Sequence, residues 1–106
     1  MHMVQHVARE TRLPLAVKLS PFWTSLAHLA RRIEHAGAKG LVLFNRFYQP
    51  DIDPEVLDVK LSLRYSDPGE LLLRLRWLAL LSGRTKLALS ASGGVHTGRD
   101  ALKAVM

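Results

Sequence analysis

The sequence predicts an α/β fold in which three parallel strands and their helices form a partial (β/α) TIM-barrel-like piece. Three short apolar runs have the composition of buried strands, and segments with helical periodicity follow them. Proline and glycine separate these runs. Strands that alternate with helices form parallel sheets with right-handed connections. Because a closed barrel needs about eight strands, we expect residues 1–106 to form a single incomplete β/α-barrel domain.

The elements are predicted in the order of a first helix followed by three β-α units. A short helix at 4–12 is broken by Pro14. The strands are the runs 13–20, 40–44 and 86–89, which we expect to be buried on both faces. Their helices are predicted at 24–35, at 70–81 and from Gly98 onward. The first two of these helices have Ser, Thr or Asp as caps and glycine after their ends.

Two features predict contacts between copies of the chain. In residues 56–63, within the long connection from 46 to 66, apolar and polar side chains alternate, which predicts an extra strand or a hairpin. The outer strands of a three-stranded piece also present unpaired N–H and C=O groups. We therefore expect the chain to associate with itself as a homodimer or a higher oligomer.

Composition excludes several classes of protein. Hydrophobic residues make up 48% of the chain, which is typical of a packed domain rather than a disordered one. No apolar run is long enough to span a bilayer, and the lack of cysteine excludes disulfides and is typical of a cytoplasmic protein. The net charge of +6 suits nucleic acid, but the basic residues are scattered and form no recognisable binding motif, so we expect no such partner.

Polar residues follow the strands at their carboxyl ends, where β/α folds bind ligands. Lys18, Asn45 and the segment 90–94 occupy three equivalent positions. Gly93 and Gly94 stand between the last strand and its helix. Glycine lets an anion approach the backbone closely, and the first N–H groups of a helix point toward it. The sequence therefore predicts a phosphate site here, and the alternative is a plain strand-to-helix turn.

Three segments, taken together and in order, resemble dihydroorotate dehydrogenase-type flavoproteins. They are PLAVKLSPF at 14–22, LFNR at 43–46 and SGGVHTGRDA at 92–101. The family is an eight-stranded β/α barrel that binds FMN and serves pyrimidine biosynthesis. The resemblance runs through essentially the whole chain, and its segments would correspond to about the fifth to seventh strands of that barrel.

The resemblance implies roles for five residues. Lys18 is similar to the lysine that contacts the flavin ring, where a cation stabilises negative charge on the reduced flavin. Asn45 is similar to the strand-end asparagine that binds the pyrimidine substrate or lies near the flavin. Ser66 resembles a small residue in contact with the flavin, and Gly93 and Gly94 resemble the glycines that bind the phosphate. A purely structural interpretation also stays open for each of these residues. The stem of Lys18 can lie on the sheet with its charge in solvent, and Asn45 can hydrogen-bond the backbone of a local turn. Ser66 can cap a helix, and the two glycines can form a plain turn.

The sequence also departs from the family. The family's general base lies on an earlier strand that this sequence does not contain, and the second phosphate loop on the last strand is missing as well. Ala91 stands where many relatives of this fold have glycine, and its methyl group narrows the approach to the backbone. We therefore predict no catalytic residue and no metal ligand in this chain.

Two functions from different classes of protein are consistent with these observations. The first is part of a dihydroorotate dehydrogenase-like, FMN-dependent oxidoreductase that retains part of the FMN or phosphate cradle and is inactive alone. The alternative is a non-catalytic, self-associating β/α half-barrel module in which the site is vestigial.

Overall fold

The computed structural model describes residues 1–61 and 64–106, and within these ranges it contains four helices and five strands. Their order is the predicted one, with a short antiparallel pair inserted before the third helix. In chain order they are α1 (His2–Glu10), β1 (Ala16–Leu19), α2 (Leu26–His35), β2 (Gly40–Leu43), β3 (Asp51–Asp53), β4 (Asp58–Lys60), α3 (Glu70–Leu81), β5 (Ala88–Ala91) and α4 (Gly98–Val105).

A parallel three-stranded sheet forms the centre of the fold. Its strand order is β1-β2-β5, so β2 pairs with both of the other strands. Each strand of this sheet lies beside the parallel strand that follows it along the chain, as in a β/α barrel. The sheet is open, with β1 and β5 at its edges in the part of the chain that the structure describes. The predicted partial β/α piece is therefore confirmed.

The two faces of this sheet differ, which the sequence analysis did not predict. Side chains alternate between the faces of a strand, and the register places Val17, Leu41 and Leu89 side by side. Leu19 and Leu43 continue the same face and are buried. The opposite face carries mainly small or polar side chains, from Ala16, Lys18, Gly40, Val42, Ala88 and Ser90. Each apolar run therefore buries its large side chains on one face only, because the residues between them are too small or too polar to form a second core.

Helix α2 supplies much of the core on the covered face. Leu26, Leu29, Ala30 and Ile33 are buried, and their spacing places them on one face of the helix. They pack in one cluster with Phe44 and the buried leucines of the strands. Burying one such aliphatic side chain fully contributes about 1.5–3 kcal/mol. This cluster is therefore the main stabilising contact between helices and sheet.

The predicted extra strand is a hairpin that begins before the expected segment. β3 and β4 pair in antiparallel register, and residues 54–57 form the turn between them. The Asp53 carboxylate fixes this turn, because its Oδ1 accepts hydrogen bonds from the N–H of Glu55 at 3.0 Å and of Val56 at 3.3 Å. The end of the predicted segment, 62–63, lies outside the described residues.

At the amino ends of the strands, Glu34 ties α2 to the segment before β5. Its carboxylate accepts hydrogen bonds from Thr85 Oγ1 at 2.6 Å and from the Lys86 N–H at 3.3 Å. The hydrogen bond from Thr85 is the largest reason that the pKa of Glu34 lies below its ordinary value. This contact also explains why β5 begins at Ala88 rather than at the predicted position 86, since residues 85 and 86 are engaged with α2.

Candidate functional site

The uncovered face of the sheet holds one of the predicted site residues. Lys18, Val42 and Ser90 lie in register across β1, β2 and β5 and share this face. Lys18 and Ser90 are exposed there, away from the buried leucines. Since neighbouring strands are about 4.8 Å apart, the two residues lie roughly 10 Å from each other. The face can therefore present an ammonium and a hydroxyl group to one flat ligand.

The turn after β5 uses two glycines in a conformation that other residues rarely adopt. Gly93 has φ of +92° and Gly94 has φ of +81°. A Cβ on Gly94 would overlap the backbone N of Leu71 at the start of α3. A Cβ on Gly93 would lie 3.0 Å from Nη2 of Arg74. Packing against α3 thus requires both glycines, and this explains them without a ligand.

The buried arginine beside this turn was missed in the sequence analysis. Arg74 is 6% exposed and donates from Nε to the Ser92 carbonyl oxygen at 2.9 Å. Its Nη1 donates to the Glu70 carbonyl oxygen at 2.7 Å and its Nη2 to the Glu70 carboxylate at 3.0 Å. The signal that could have revealed it is spacing, because Arg74 shares a helix face with the buried Leu71 and Leu81.

Glu70 connects this arginine to the end of β2. One carboxylate oxygen accepts from Arg74, and the other lies 3.9 Å from Nη2 of Arg46. Arg46 directly follows Asn45, so the contact joins the loop after β2 to α3. The Arg46 pair is partly exposed, so it contributes little to stability. Two arginines share one carboxylate, which leaves a net positive charge beside the glycine turn.

The start of α4 is capped by its own residues. The side chain of Thr97 accepts a hydrogen bond from the Asp100 N–H, and Asp100 Oδ2 accepts from the N–H groups of His96 at 3.3 Å and of Thr97 at 3.0 Å. The hydroxyl of Thr97 also donates to this carboxylate at 2.8 Å, which is the largest reason that the pKa of Asp100 is lowered. A carboxylate therefore already occupies the anion position at the start of this helix.

The remaining predicted residues fall into two groups. Ser66 lies beside the glycine turn, with its Oγ 3.5 Å from Nε2 of His96. It does not cap α3, because Asp67 Oδ1 accepts from the N–H of Gly69 at the start of that helix. Asn45 is exposed after β2, where its backbone N–H donates to the Leu19 carbonyl oxygen at 2.6 Å. The structure thus brings Ser66 to the turn, whereas Lys18 lies on β1 and Asn45 follows the end of β2.

Other kinds of site were also sought in residues 1–61 and 64–106. Within these ranges, no three His, Asp or Glu side chains are grouped closely enough to hold a metal ion. In the same part of the chain, no helix combines the length and the apolarity needed to cross a bilayer. The groups near the strand ends include backbone N–H groups, hydroxyls, an amide, an imidazole, a carboxylate and cations.

Several curated proteins similar to this chain are dihydroorotate dehydrogenases. The catalytic subunit of a dihydroorotate dehydrogenase B (NAD(+)) from Citrifermentans bemidjiense is 34% identical in an alignment that covers 95% of this chain and 34% of that protein. The corresponding subunit from Bacillus mycoides is 27% identical, with the same two coverages. A dihydroorotate dehydrogenase A (fumarate) from Lacticaseibacillus paracasei is 30% identical over 90% of this chain and 34% of its own length. No family model matches the chain.

These relatives are larger than the chain, which spans about a third of their length. The alignments cover nearly all of the chain, including the three segments that carry the resemblance. The similarity therefore extends beyond the glycine turn to the whole β/α piece. The resemblance predicted from the motifs is confirmed: over almost its entire length, this chain is related in sequence to dihydroorotate dehydrogenases.

Proposed function

We propose that this chain forms part of an FMN-binding oxidoreductase of the dihydroorotate dehydrogenase type, in pyrimidine biosynthesis, and that it retains part of the FMN cradle. The observation that carries the proposal is the uncovered sheet face, which ends at a glycine turn in a chain related to these enzymes. β/α barrels bind ligands at the carboxyl ends of their strands and in the loops that follow them, and the glycine turn lies at such an end.

The residues present fit the cofactor in part. The Gly93 and Gly94 N–H groups take no part in the backbone hydrogen bonds found in the described ranges, and they suit a phosphate. The flavin, when bound, accepts a hydride from the substrate. The Lys18 ammonium would then lie at the ring and stabilise the negative charge that reduction creates. Ser66 would contact the ring system, and Asn45 would donate and accept hydrogen bonds at the pyrimidine.

The chain is proposed to be inactive alone. Oxidation of dihydroorotate needs a positioned base, and general acid–base catalysis contributes about 10²–10⁴-fold to a rate. Lys18 and Ser90 are the polar side chains in register on the uncovered face, and neither has a carboxylate or histidine among its hydrogen-bonding partners in the described ranges. We therefore propose that the residue that removes a proton does not belong to the uncovered face.

FMN fluorescence tests the binding part of this proposal. Because the chain spans about a third of the length of its relatives and supplies only part of the proposed cradle, we expect a dissociation constant of about tens of micromolar or weaker, near −6 kcal/mol. Lys18→Met should weaken FMN binding. Lys39→Met is a matched control, since Lys39 is exposed at the amino end of β2. Absence of quenching at millimolar protein, or equal loss in both variants, would contradict the proposal.

Self-association is the second candidate function, and the open sheet favours it. β1 and β5 each pair on one side only in the part of the chain that is described, and unpaired edges are templates for a further strand. The hairpin adds exposed apolar side chains, among them Ile52, Leu57 and Leu61. A non-catalytic module of this kind would form a homodimer or a higher oligomer around a vestigial site.

Sedimentation equilibrium tests the second candidate directly. A homodimer should sediment at twice the monomer mass of 11.9 kDa, with dissociation on dilution. A clean monomer at all concentrations would exclude self-association, whereas polydisperse material would indicate unspecific aggregation through the open edges. Loss of the dimer without loss of FMN quenching would separate this function from the first.

A further inference from the structure

Arg74 is a buried cation that the proposed function does not yet use. It lies in the leucine-rich helix α3 and is 6% exposed. Its three hydrogen bonds run from three different nitrogen atoms to Ser92 and Glu70. A guanidinium is a rigid planar fork, so three bonds fix its orientation. Because Glu70 belongs to the same helix, the bond to Ser92 is the one that reaches the turn after β5.

This bond determines the direction of a neighbouring N–H group. The Ser92–Gly93 peptide bond is trans, and in a trans peptide the C=O and the following N–H point in opposite directions. Arg74 Nε draws the Ser92 carbonyl oxygen toward α3. The Gly93 N–H therefore points away from α3. The guanidinium also packs against Gly93, since a Cβ there would lie 3.0 Å from Nη2.

We propose that Arg74 is a positioning residue for the phosphate of the cofactor: by holding the Ser92 carbonyl oxygen, it aims the Gly93 N–H at the ligand. This inference rests on the proposed function. This role does not place Arg74 on the phosphate itself, because its side chain is buried and each of its three nitrogen atoms already donates to a protein acceptor. Its effect is therefore specific to the phosphate end of the ligand.

A comparison of FMN with riboflavin isolates that effect, because riboflavin has the same ring system and no phosphate. Both ligands would be titrated by fluorescence into the full chain and into the Arg74→Gln, Arg74→Lys and Arg76→Gln variants. Arg76 is the matched control, since it is exposed on the same helix. Thermal unfolding of each variant sets a titration temperature at which all of them are folded.

We expect Arg74→Gln to weaken FMN binding about ten-fold, the effect of losing a charge-assisted hydrogen bond, and to leave riboflavin binding unchanged. Arg74→Lys should behave similarly, because an ammonium keeps the charge without the fork. Arg76→Gln should leave both ligands unaffected. A purely structural role for Arg74 would instead weaken both ligands equally.

Each other outcome has a distinct meaning. If the unaltered chain binds FMN no better than riboflavin, the phosphate site itself is absent and this inference falls with it. If the unaltered chain prefers FMN and both Arg74 variants keep that preference, the inference is overturned while the proposed function stands. If Arg74→Gln does not fold, Arg74→Lys decides the question. If neither variant folds, Arg74 serves folding and the positioning role is overturned.

Discussion

The turn after β5 and the turn of the β3–β4 hairpin both contain residues with positive φ, yet they are held in opposite ways. Gly94 lies against the backbone of Leu71, and the bond from Arg74 spans 18 residues of sequence. The hairpin turn is fixed by Asp53 and its nearest neighbours, and it accommodates Leu57 at φ +53° with 87% of that residue exposed.

The difference separates a rigid region from a peripheral one. A turn that is held by distant, buried partners has one conformation, and ligand sites need such fixed donors. A turn that is held by its own residues leaves its side chains free in solvent. The strand-end turn is therefore suited to binding a ligand, whereas the hairpin is suited to contact with another protein surface.

The largest expected contrast between the two regions comes from truncating a leucine in each. Leu43 is fully buried in the core, so Leu43→Ala should lower the free energy of unfolding by about 4 kcal/mol. Leu57→Ala in the hairpin should change it by less than about 0.5 kcal/mol. Urea denaturation measures both values. Similar values for the two variants would mean that the hairpin is part of the core.

A smaller contrast is expected between two glycines with positive φ. Gly94→Ala adds both backbone strain and a clash with Leu71, so it should cost about 3 kcal/mol. Gly83 has φ +72°, and a Cβ added there would have no atom within 4 Å. Backbone strain alone should therefore make Gly83→Ala cost about 1 kcal/mol. Thermal unfolding compares them, and equal costs would show that the turn does not pack tightly against α3.

The cap of α4 should have a smaller effect again. Thr97 accepts a hydrogen bond from the Asp100 N–H at 3.2 Å, and Thr97→Ala removes it. Loss of such a cap costs about 1 kcal/mol. Thr97→Ser, which keeps the hydroxyl, is the control and should restore most of this stability. Equal stability of the serine and alanine variants would show that the cap does not stabilise the chain.

Acidification should produce the smallest change. The pKa of Asp100 is lowered in the folded chain from its ordinary value of 3.8, chiefly by the hydrogen bond from Thr97. The stability that this carboxylate contributes is present above its unfolded pKa and is lost as the pH falls through its folded pKa. Tm should therefore fall below about pH 4, and less steeply in Asp100→Asn. The same pH profile in Asp100→Asn as in the unaltered chain would contradict this assignment.

Sequence reasoning predicted the elements well where local signals act alone. The helix at Glu70–Leu81 was predicted at its observed bounds, because Pro68 precedes it and Gly83 follows it. The Gly93–Gly94 turn was identified for the same reason, since adjacent glycines between a strand and a helix are a local signal. The three-stranded parallel order followed from the alternation of strands and helices.

The parts that were missed depend on contacts between distant residues. Arg74 has the helical spacing of the buried Leu71 and Leu81, but an exposed arginine can have the same spacing. What decides its burial is the bond to the Ser92 carbonyl oxygen, 18 residues away in sequence. The uncovered sheet face was hidden by apolar runs such as 13–20, in which the small and polar residues occupy alternate positions. The capping box at the start of α4, in which Asp100 accepts hydrogen bonds from the first N–H groups, was also missed. Thr97, three residues before Asp100, is the sequence signal for it.

The central claim is that the uncovered face and the glycine turn form one part of an FMN cradle, and amide NMR tests it most directly. FMN would be titrated into the ¹⁵N-labelled chain while backbone shifts are followed residue by residue. The account predicts shifts at Gly93 and Gly94 together with Lys18 and Ser90, saturating at about tens of micromolar to millimolar ligand. Shifts confined to the hairpin, or no shifts at millimolar FMN, would contradict it.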